Sequence, residues 1–434
     1  MKRFFVALLA AGQLAAPAAN AATNEPQHLT LREAWTIALQ NHPQIQSSEL
    51  KARAAEQDIT IARSNYFPQI SGDAVRAFAS DGTRLASTGG INNPLIVDRG
   101  SYGVSVNQLI TDFGRTASRV GAAKAGAEAQ SAHAEDTREL VLFEVTRAYY
   151  NVLRAQALLH VADNTLAVRN QLLDKVTTLR EVGIKSDLDV SFARRDVDEA
   201  EQLQLQAQNG ATDAMATLSQ ALGYGEQKEF TLETTAPPMP PAQFDDLLRT
   251  AFDQNPELLA LKADVDAAQL SYKAERAANY PTVNAVGYTG ATPIRETGTI
   301  DSNYAAAGIT IDIPIFTGGR LNAAARGAGL RAEAAQRDFE EKRNEVTRDL
   351  RISWDGTQTA YKNIAVAKQV LASASKALEL TQASYDLGRS SIIDLAQAQL
   401  EETRAEIDSS NAMYDYLIQH ALLDYKVGDL SPTP

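Results

Sequence analysis

The feature that most limits what this chain can fold into is that it is written twice. Asn41-His42-Pro43 through Pro68-Gln69-Ile70 recurs as Gln254-Asn255-Pro256 through Pro281-Thr282-Val283, with the same separation between the two prolines. Ala54, Ala55 and Arg63 fall on Ala267, Ala268 and Arg276 without a gap. Further on, Gly103-Val104-Ser105-Val106 returns as Gly308-Ile309-Thr310-Ile311, Gly114-Arg115 as Gly319-Arg320, and Gly183 with Asp189 as Gly388 with Asp394. The register slips by about eight residues between these blocks, in a stretch that reads as loop. A repeat of roughly 205 residues is far longer than a solenoid unit, so it implies two copies of one architectural module related by pseudo-symmetry. Function then depends on what two such modules enclose.

Met1-Lys2-Arg3 followed by a short apolar run and Ala19-Asn20-Ala21 reads as a secretory signal peptide, 1–21. Its apolar stretch is too short to span a bilayer, and no later run reaches the roughly 20 apolar residues a spanning helix needs. A membrane contact is therefore expected through strands. Removal of Lys2 and Arg3 takes the formal charge from −13 to −15. Such a surface disfavours nucleic acid. The absence of cysteine excludes disulfides and thiolate metal sites, so packing or assembly must hold an exported chain of this size together.

Proline divides the sequence. None occurs between Pro94 and Pro237 or between Pro314 and Pro432, and both clear stretches are rich in Ala, Leu, Gln, Glu, Lys and Arg, which lose least on entering a helix. Ala148, Val152, Ala155, Leu159, Ala162 and Leu166 follow a 4,3 spacing, as do Val366, Val370, Ser373, Ala377 and Leu380. Both stripes predict coiled-coil seams. At 1.5 Å per residue a helix from Arg115 to Val182 would extend on the order of 100 Å. Gly183 and Gly388 each offer a helix C-terminal turn, and Ser186 with Asp189 and Ser391 with Asp394 have capping-box spacing for a returning helix. Each module thus contains a long helical hairpin, 115–222 and 320–427.

Elsewhere the period changes to two. Tyr102, Val104 and Val106 alternate with smaller or polar residues, as do Ile309, Ile311 and Ile313, the pattern of strands between lipid and water. Strands are expected at about 69–80 and 101–110, then 282–292 and 303–315. The second and fourth carry the clear alternation, and their partners rest mostly on the repeat. Between them, Asp81–Asp98 and Pro293–Asp301 read as solvent loops. Tyr66, Phe67, Phe113, Tyr280 and Phe316 stand where helix meets strand, as an interfacial aromatic belt or as filling of a packed junction. The expected division is 22–222 for the first repeat, 223–243 for a proline-rich equatorial joining segment, 244–427 for the second repeat and 428–434 for a tail. Four strands cannot close a barrel in lipid, because an open edge leaves backbone groups unpaired. Several chains must combine. Two would supply eight strands and three would supply twelve, and both numbers occur in barrels.

Leu31-Arg32-Glu33-Ala34 through Pro43, its echo Leu248 through Pro256, the two strand pairs and the two glycine-turned tips together resemble the TolC family of outer-membrane channel proteins. The resemblance implies a mainly α fold with membrane β structure: a homotrimer sharing a twelve-stranded barrel in outer-membrane lipid, continued by a periplasmic α-helical barrel. It further implies passive conduction, with a periplasmic adaptor protein and an inner-membrane pump or ABC transporter as partners, for efflux or type I secretion. By the same resemblance Asp394 stands at a channel constriction, with Gln397 where the family carries a second acidic residue, and Asp189 stands nearby. Tyr385 matches a tyrosine that helps hold the tip closed; the family's arginine position is Ser390 here, with Arg389 one residue early. Val182-Gly183-Ile184 and Leu387-Gly388-Arg389 match the adaptor-docking turns. Asp394 and Asp189 also stand where a carboxylate caps a helix, which needs no pore.

No cofactor, metal or catalytic constellation is expected. His28, His42, His133, His160 and His420 lack metal-ligand spacing and read as isolated surface histidines. Gly327-Ala328-Gly329 mimics a dinucleotide fingerprint but suits close helix crossing better. The competing reading is a periplasmic coiled-coil adaptor or structural protein, which would also be exported, acidic and helical but has no need of lipid-facing strands.

Overall fold

A computed structural model describes residues 27–77, 99–294 and 303–430. The expected leader, the loop at 81–98 and residues 295–301 of the second loop lie outside the described residues. Each repeat begins with a helix broken at its Asn/His-Pro motif. In the first, α1 (Leu31–Asn41) ends at His42, whose Nδ1 accepts from the Gln44 N–H, and Pro43 opens α2 (Pro43–Ser64). In the second, α5 (Phe244–Gln254) ends at Asn255, which caps α6 (Pro256–Ala277). Proline at the first helical position lacks an N–H that would have no partner anyway, so the break costs little. His42 is therefore a cap rather than an isolated surface histidine, and His420 is half-buried beside Asp424 at 3.0 Å.

The proline-free stretches form four long helices. α3 (Arg115–Glu181) and α4 (Asp187–Ala221) make one hairpin, α7 (Arg320–Asp386) and α8 (Ile392–Val427) the other, and α3 and α7 are each 67 residues long. The end of α4 abuts the start of α2: a Cβ at Gly223 would stand 2.9 Å from the Asn41 backbone. Gly428 meets Asn255 in the same way, at 2.9 Å from its Cα. Both glycines also carry φ of +85°, so close approach and a left-handed backbone together demand glycine. The broken helix of each module thereby prolongs the returning helix of its hairpin along the full-length partner.

Half of the Ala148 stripe is buried, with Ala148 at 4 % exposure and Val152 and Ala162 at 0 %, while Ala155, Leu159 and Leu166 are partly covered. The second stripe is exposed. Val366, Val370 and Leu380 are 58 %, 53 % and 58 % exposed, while Ile364, Ala367 and Tyr385 on another face of α7 are buried. A helix in a wall needs a seam on each side, and the 366–380 stripe is the side without a partner among the described residues.

Two sheets complete the fold. Strands β2 (Gln69–Ala77), β3 (Arg99–Thr111), β5 (Thr282–Ile294) and β6 (Asn303–Asp312) form an antiparallel sheet in the order β2-β3-β5-β6. β6 ends at Asp312, short of the expected 315, because Ile313-Pro314 begins the turn into α7 and proline cannot extend a ladder. The register pairs Ile70 with Val106, Val106 with Gly287 and Gly287 with Ala307, and likewise Gly72, Val104, Thr289 and Ala305. Directly opposed residues share a face, so Ile70, Val104, Val106, Ile309 and Ile311 fall on one side, while Val286 and Tyr288 of β5 fall on the other. Ser71 and Ser105, whose hydroxyls lie 2.7 Å apart, share that second side. Glycine weakens the alternation for a reason: a Cβ at Gly103 or Gly290 would stand 2.5 or 2.6 Å from the Tyr304 hydroxyl, so the ring of Tyr304 occupies the space the glycines leave. Tyr66, Phe67, Phe113, Tyr280 and Phe316 are all exposed, and the Phe113 and Tyr280 rings meet at 6.1 Å where helix meets strand in the first and second repeats. The second sheet pairs β1 (Gln27–Leu29) with β4 (Phe230–Leu232) in parallel, bringing the joining segment beside the chain's start.

The core sits at this waist. Leu29, Ile45, Val145, Tyr149, Val152, Leu218, Leu222 and Phe230 pack into one cluster. The Tyr149 hydroxyl lies 3.0 Å from the Leu29 carbonyl and 2.8 Å from that of Glu233, and accepts from the Glu233 N–H at 2.9 Å. The proline-rich segment is strapped to the second hairpin through its carbonyls. Pro241 accepts from Trp354 Nε1 at 3.2 Å and Gln358 Nε2 at 2.7 Å, and Pro238 from the Tyr416 hydroxyl at 2.5 Å.

Candidate functional site: the paired helical tips

Both hairpins turn by the same device. At the first tip Gly183 takes φ +78°, the Gly183 N–H reaches the Arg180 carbonyl at 3.0 Å and the Ile184 N–H reaches Leu179 at 2.9 Å. At the second, Gly388 takes φ +70°, with Gly388 to Tyr385 at 3.0 Å and Arg389 to Ser384 at 2.8 Å. These bonds satisfy the last carbonyls of α3 and α7. The returning helices start with capping boxes: the Asp189 N–H donates to Ser186 Oγ at 3.2 Å and the Ser186 N–H donates to the Asp189 carboxylate at 2.9 Å. Asp394 and Ser391 exchange the same bonds at 3.1 and 3.0 Å, and Ser390 Oγ adds one at 3.2 Å.

Those bonds fix the electrostatics of the two carboxylates. Backbone donation from Ser391, followed by the Ser391 and Ser390 hydroxyls, holds Asp394 below the usual aspartate range. Backbone donation from Ser186 likewise lowers Asp189 against a smaller desolvation. Within one chain both are thus firmly ionised caps. Gln397 lies one turn along α8, exposed, with its amide donating to Glu401 at 2.8 Å. Arg389 is exposed, and Val182, Ile184 and Leu387 are 66 %, 68 % and 70 % exposed at the turn apices. The tip therefore presents apolar side chains to solvent where folding alone gives no reason to.

Tyr385 behaves differently. It is buried, packed with Leu172, Val176, Ala193, Ile392 and Leu395 from both hairpins. Burial, then the nearby charges of Asp189 and Asp386, pushes its hydroxyl up to about 12. That hydroxyl has no hydrogen-bond partner, and its ring lies under Lys185 Nζ at 3.8 Å. Lys175 of α3 reaches Asp386 of α7 at 2.6 Å. Deeper in, Arg169 of α3 donates to Gln399 of α8 and stands 3.9 Å from Asp196 of α4, all three buried. Sequence reading missed these three contacts. One signal was available: Arg169 continues the 4,3 spacing of the Ala148–Leu166 stripe, and a charged residue at a seam position calls for a partner.

Among the described residues no helix is long and apolar enough to cross a membrane, and no cluster of His, Cys, Asp or Glu is arranged for a metal. Gly327-Ala328-Gly329 lies within α7, where a Cβ at Gly329 would stand 3.3 Å from the Tyr272 ring on α6, so it serves helix packing.

The sequence profile of the outer membrane efflux protein family matches residues 35–224 and 247–428, which are the two repeats. The chain is 26 % identical over 412 residues to the outer membrane protein TolC of Vibrio cholerae, covering 92 % of this chain and 91 % of that protein. It is 25 % identical over 415 residues to the alkaline protease secretion protein AprF of Pseudomonas aeruginosa, covering 93 % and 85 %. A crystal structure of CusC superposes with a TM-score of 0.79 at 19 % identity, covering 92 % of both chains. Repeat, open sheet, paired long hairpins and profile agree: the chain belongs to the outer membrane efflux protein family.

Proposed function

We propose that the protein is an outer-membrane exit duct, three copies of which close a twelve-stranded barrel in lipid and a helical barrel through the periplasm. The observation that carries this reading is the open β2-β3-β5-β6 sheet. It places Ile70, Val104, Val106, Ile309 and Ile311 on one face and leaves β2 and β6 as edges without a partner among the described residues. In hydrocarbon such edges must be paired, and the exposed Val366–Leu380 stripe of α7 gives the helical body a matching unfilled side. Transport through the duct is passive, driven by an inner-membrane pump or ABC transporter joined through a periplasmic adaptor. The names of relatives cover both efflux and protease secretion, so both cargo classes fit the reading.

At the tip, three copies of Asp394 form the acidic constriction, with Gln397 making the next ring neutral and Asp189 close behind. A single acidic ring attracts cations and is occluded by them. Tyr385 holds the tip closed from its buried site; exposed Arg389 contributes at the surface of the turn. Val182-Gly183-Ile184 and Leu387-Gly388-Arg389 are the docking turns, their exposed apolar residues supplying the area an adaptor covers.

Purified protein in planar bilayers tests the reading. Water-filled conductance, blocked by a trivalent cation added on the tip side, is the expected result, and Asp394→Asn weakens that block about tenfold, a loss of roughly 1.4 kcal/mol of attraction. Absence of any conductance overturns the duct; block unchanged in Asp394→Asn removes Asp394 from the constriction.

A further inference from the structure

The two hairpins of one chain meet near the tip along α3 and α8, and the contact there is incomplete in an informative way. Arg169 is 7 % exposed, Asp196 5 % and Gln399 4 %. Arg169 Nη1 donates to Gln399 Oε1 across the seam. Asp196, on the same hairpin as Arg169, uses Oδ1 to accept from Arg195 Nε at 3.1 Å and Nη2 at 2.6 Å. Its other oxygen, Oδ2, is buried with no hydrogen-bond partner. Arg169 Nη1 stands 3.9 Å from it, close enough for charge compensation but beyond hydrogen-bond reach.

A buried carboxylate oxygen without a donor is costly, and native structures rarely tolerate one. Here the missing donor stands about 1 Å too far away, kept there by its bond to the opposite hairpin. If α8 moves off, Gln399 leaves with it and Arg169 settles onto Asp196 Oδ2. Each arrangement then leaves one acceptor short: Asp196 when the hairpins are together, Gln399 when they part, and the second of these is free to take water. A cleft of about 280 Å³ lined by Arg169, Asp196, Ile393, Gln397 and Leu400 borders the seam and gives α8 room to shift. Gln397, placed at the constriction above, is two residues from Gln399 on the same helix, so displacement of one displaces the other.

We propose that Arg169 is a partner-exchanging latch of the tip, bonded to Gln399 when the hairpins are closed and to Asp196 when they are open. The position where the resemblance places a latch arginine is Ser390 in this chain, and the cations that cross the seam come instead from the first hairpin: Arg169, Lys175 to Asp386 and Lys185 over Tyr385. The latch rests on the duct reading for its consequence, though not for its geometry.

Two substitutions separate an exchanging latch from a merely structural cluster, because they act with opposite sign. Gln399→Leu removes the closed-state partner and raises the conductance of the reconstituted full-length trimer roughly fivefold, the factor expected from one lost hydrogen bond of about 1 kcal/mol. Asp196→Asn takes the charge from the open-state partner and so weakens that bond; alone it does not raise conductance, and added to Gln399→Leu it suppresses the gain. Gln399→Glu, which strengthens the closed bond, lowers conductance and covers the case in which Gln399→Leu fails to assemble. A second readout needs no conduction. The chain has no cysteine of its own, so Lys175→Cys with Asp386→Cys introduces the only thiols, and the rate at which a short bis-maleimide links them reports hairpin separation in detergent. The rate falls with Gln399→Leu and rises with Gln399→Glu. Conductance gains of the same sign from Gln399→Leu and Asp196→Asn, or linking rates indifferent to residue 399, overturn the latch. Shifted linking rates in a protein that does not conduct would uphold the latch and overturn the duct.

Discussion

α3 and α7 are equal in length and equivalent in the repeat, yet they live in different surroundings. α3 lies in the middle of the wall, flanked by α2 and α4 on one side and α6 and α8 on the other, and buries residues along its whole length. α7 packs on α6 and α8, with α5 and Pro241 touching it around Trp354, but among the described residues nothing covers its Val366–Leu380 stripe, and it buries far fewer. The difference teaches that pseudo-symmetry fixes local structure while position in the wall decides burial. It also locates the missing neighbour: the bare side of α7 faces whatever follows it around the cylinder.

The sharpest way to break this comparison is to place one charge on each helix. Val152→Asp in α3 buries a carboxylate without a partner and is expected to destabilise the fold by about 3–5 kcal/mol, read as a lower thermal midpoint of helical circular dichroism. Val370→Asp in α7 is expected to leave the single chain within about 0.5 kcal/mol of wild type and to abolish assembly on native gels. Equal effects of the two would mean that α7 has no special edge.

The next effect depends on pH. Glu139 of α3 is buried and its Oε2 has no hydrogen-bond partner. Burial, then the charges of Glu135, Asp136 and Asp429, raises it from 4.5 to about 8. The folded protein therefore keeps a proton that the unfolded chain releases above its ordinary value. Stability is full below pH 4.5 and is lost as pH rises through about 8, approaching about 1.4 kcal/mol per pH unit within that window. Glu139→Gln should flatten the profile, with a melting advantage over wild type that grows from pH 5 to pH 8. On α7 the exposed Glu340 and half-exposed Glu345 are instead lowered, chiefly by bonds from Arg337 and Lys342, and Glu345→Gln should leave the profile unchanged between pH 5 and pH 8. A profile that Glu139→Gln does not alter would show that Glu139 is ionised in the fold.

The smallest of the three concerns the waist. Tyr149→Phe strips the Leu29 and Glu233 backbone groups of their shared hydroxyl and should cost about 1–2 kcal/mol, whereas Tyr361→Phe in α7, which keeps the ring contact with Tyr416, should cost nothing measurable by the same melting experiment.

Much of the fold was legible because it is local. Glycine at 183 and 388, serine and aspartate three apart, and the proline-free runs specify turn, cap and helix without reference to anything distant. The strand registers were legible less directly, since Gly103 and Gly290 hide the alternation in order to seat Tyr304, which comes from a third strand. The outward face of α7 was not legible, because its two apolar stripes share one period and only the neighbours distinguish them. The tip cluster was opaque for the same reason: Arg169, Asp196 and Gln399 come from three helices, and their meeting depends on how two hairpins are laid side by side. Gly223 and Gly428 belong to the repeat as well, but the close approach that requires them involves a helix break far away in sequence.

One chain is a fraction of a cylinder wall. Native mass spectrometry of the protein released from detergent micelles tests this most directly. Three chains per particle, persisting until the detergent is stripped, is the predicted result; a single chain that stays monodisperse in water without detergent would contradict it.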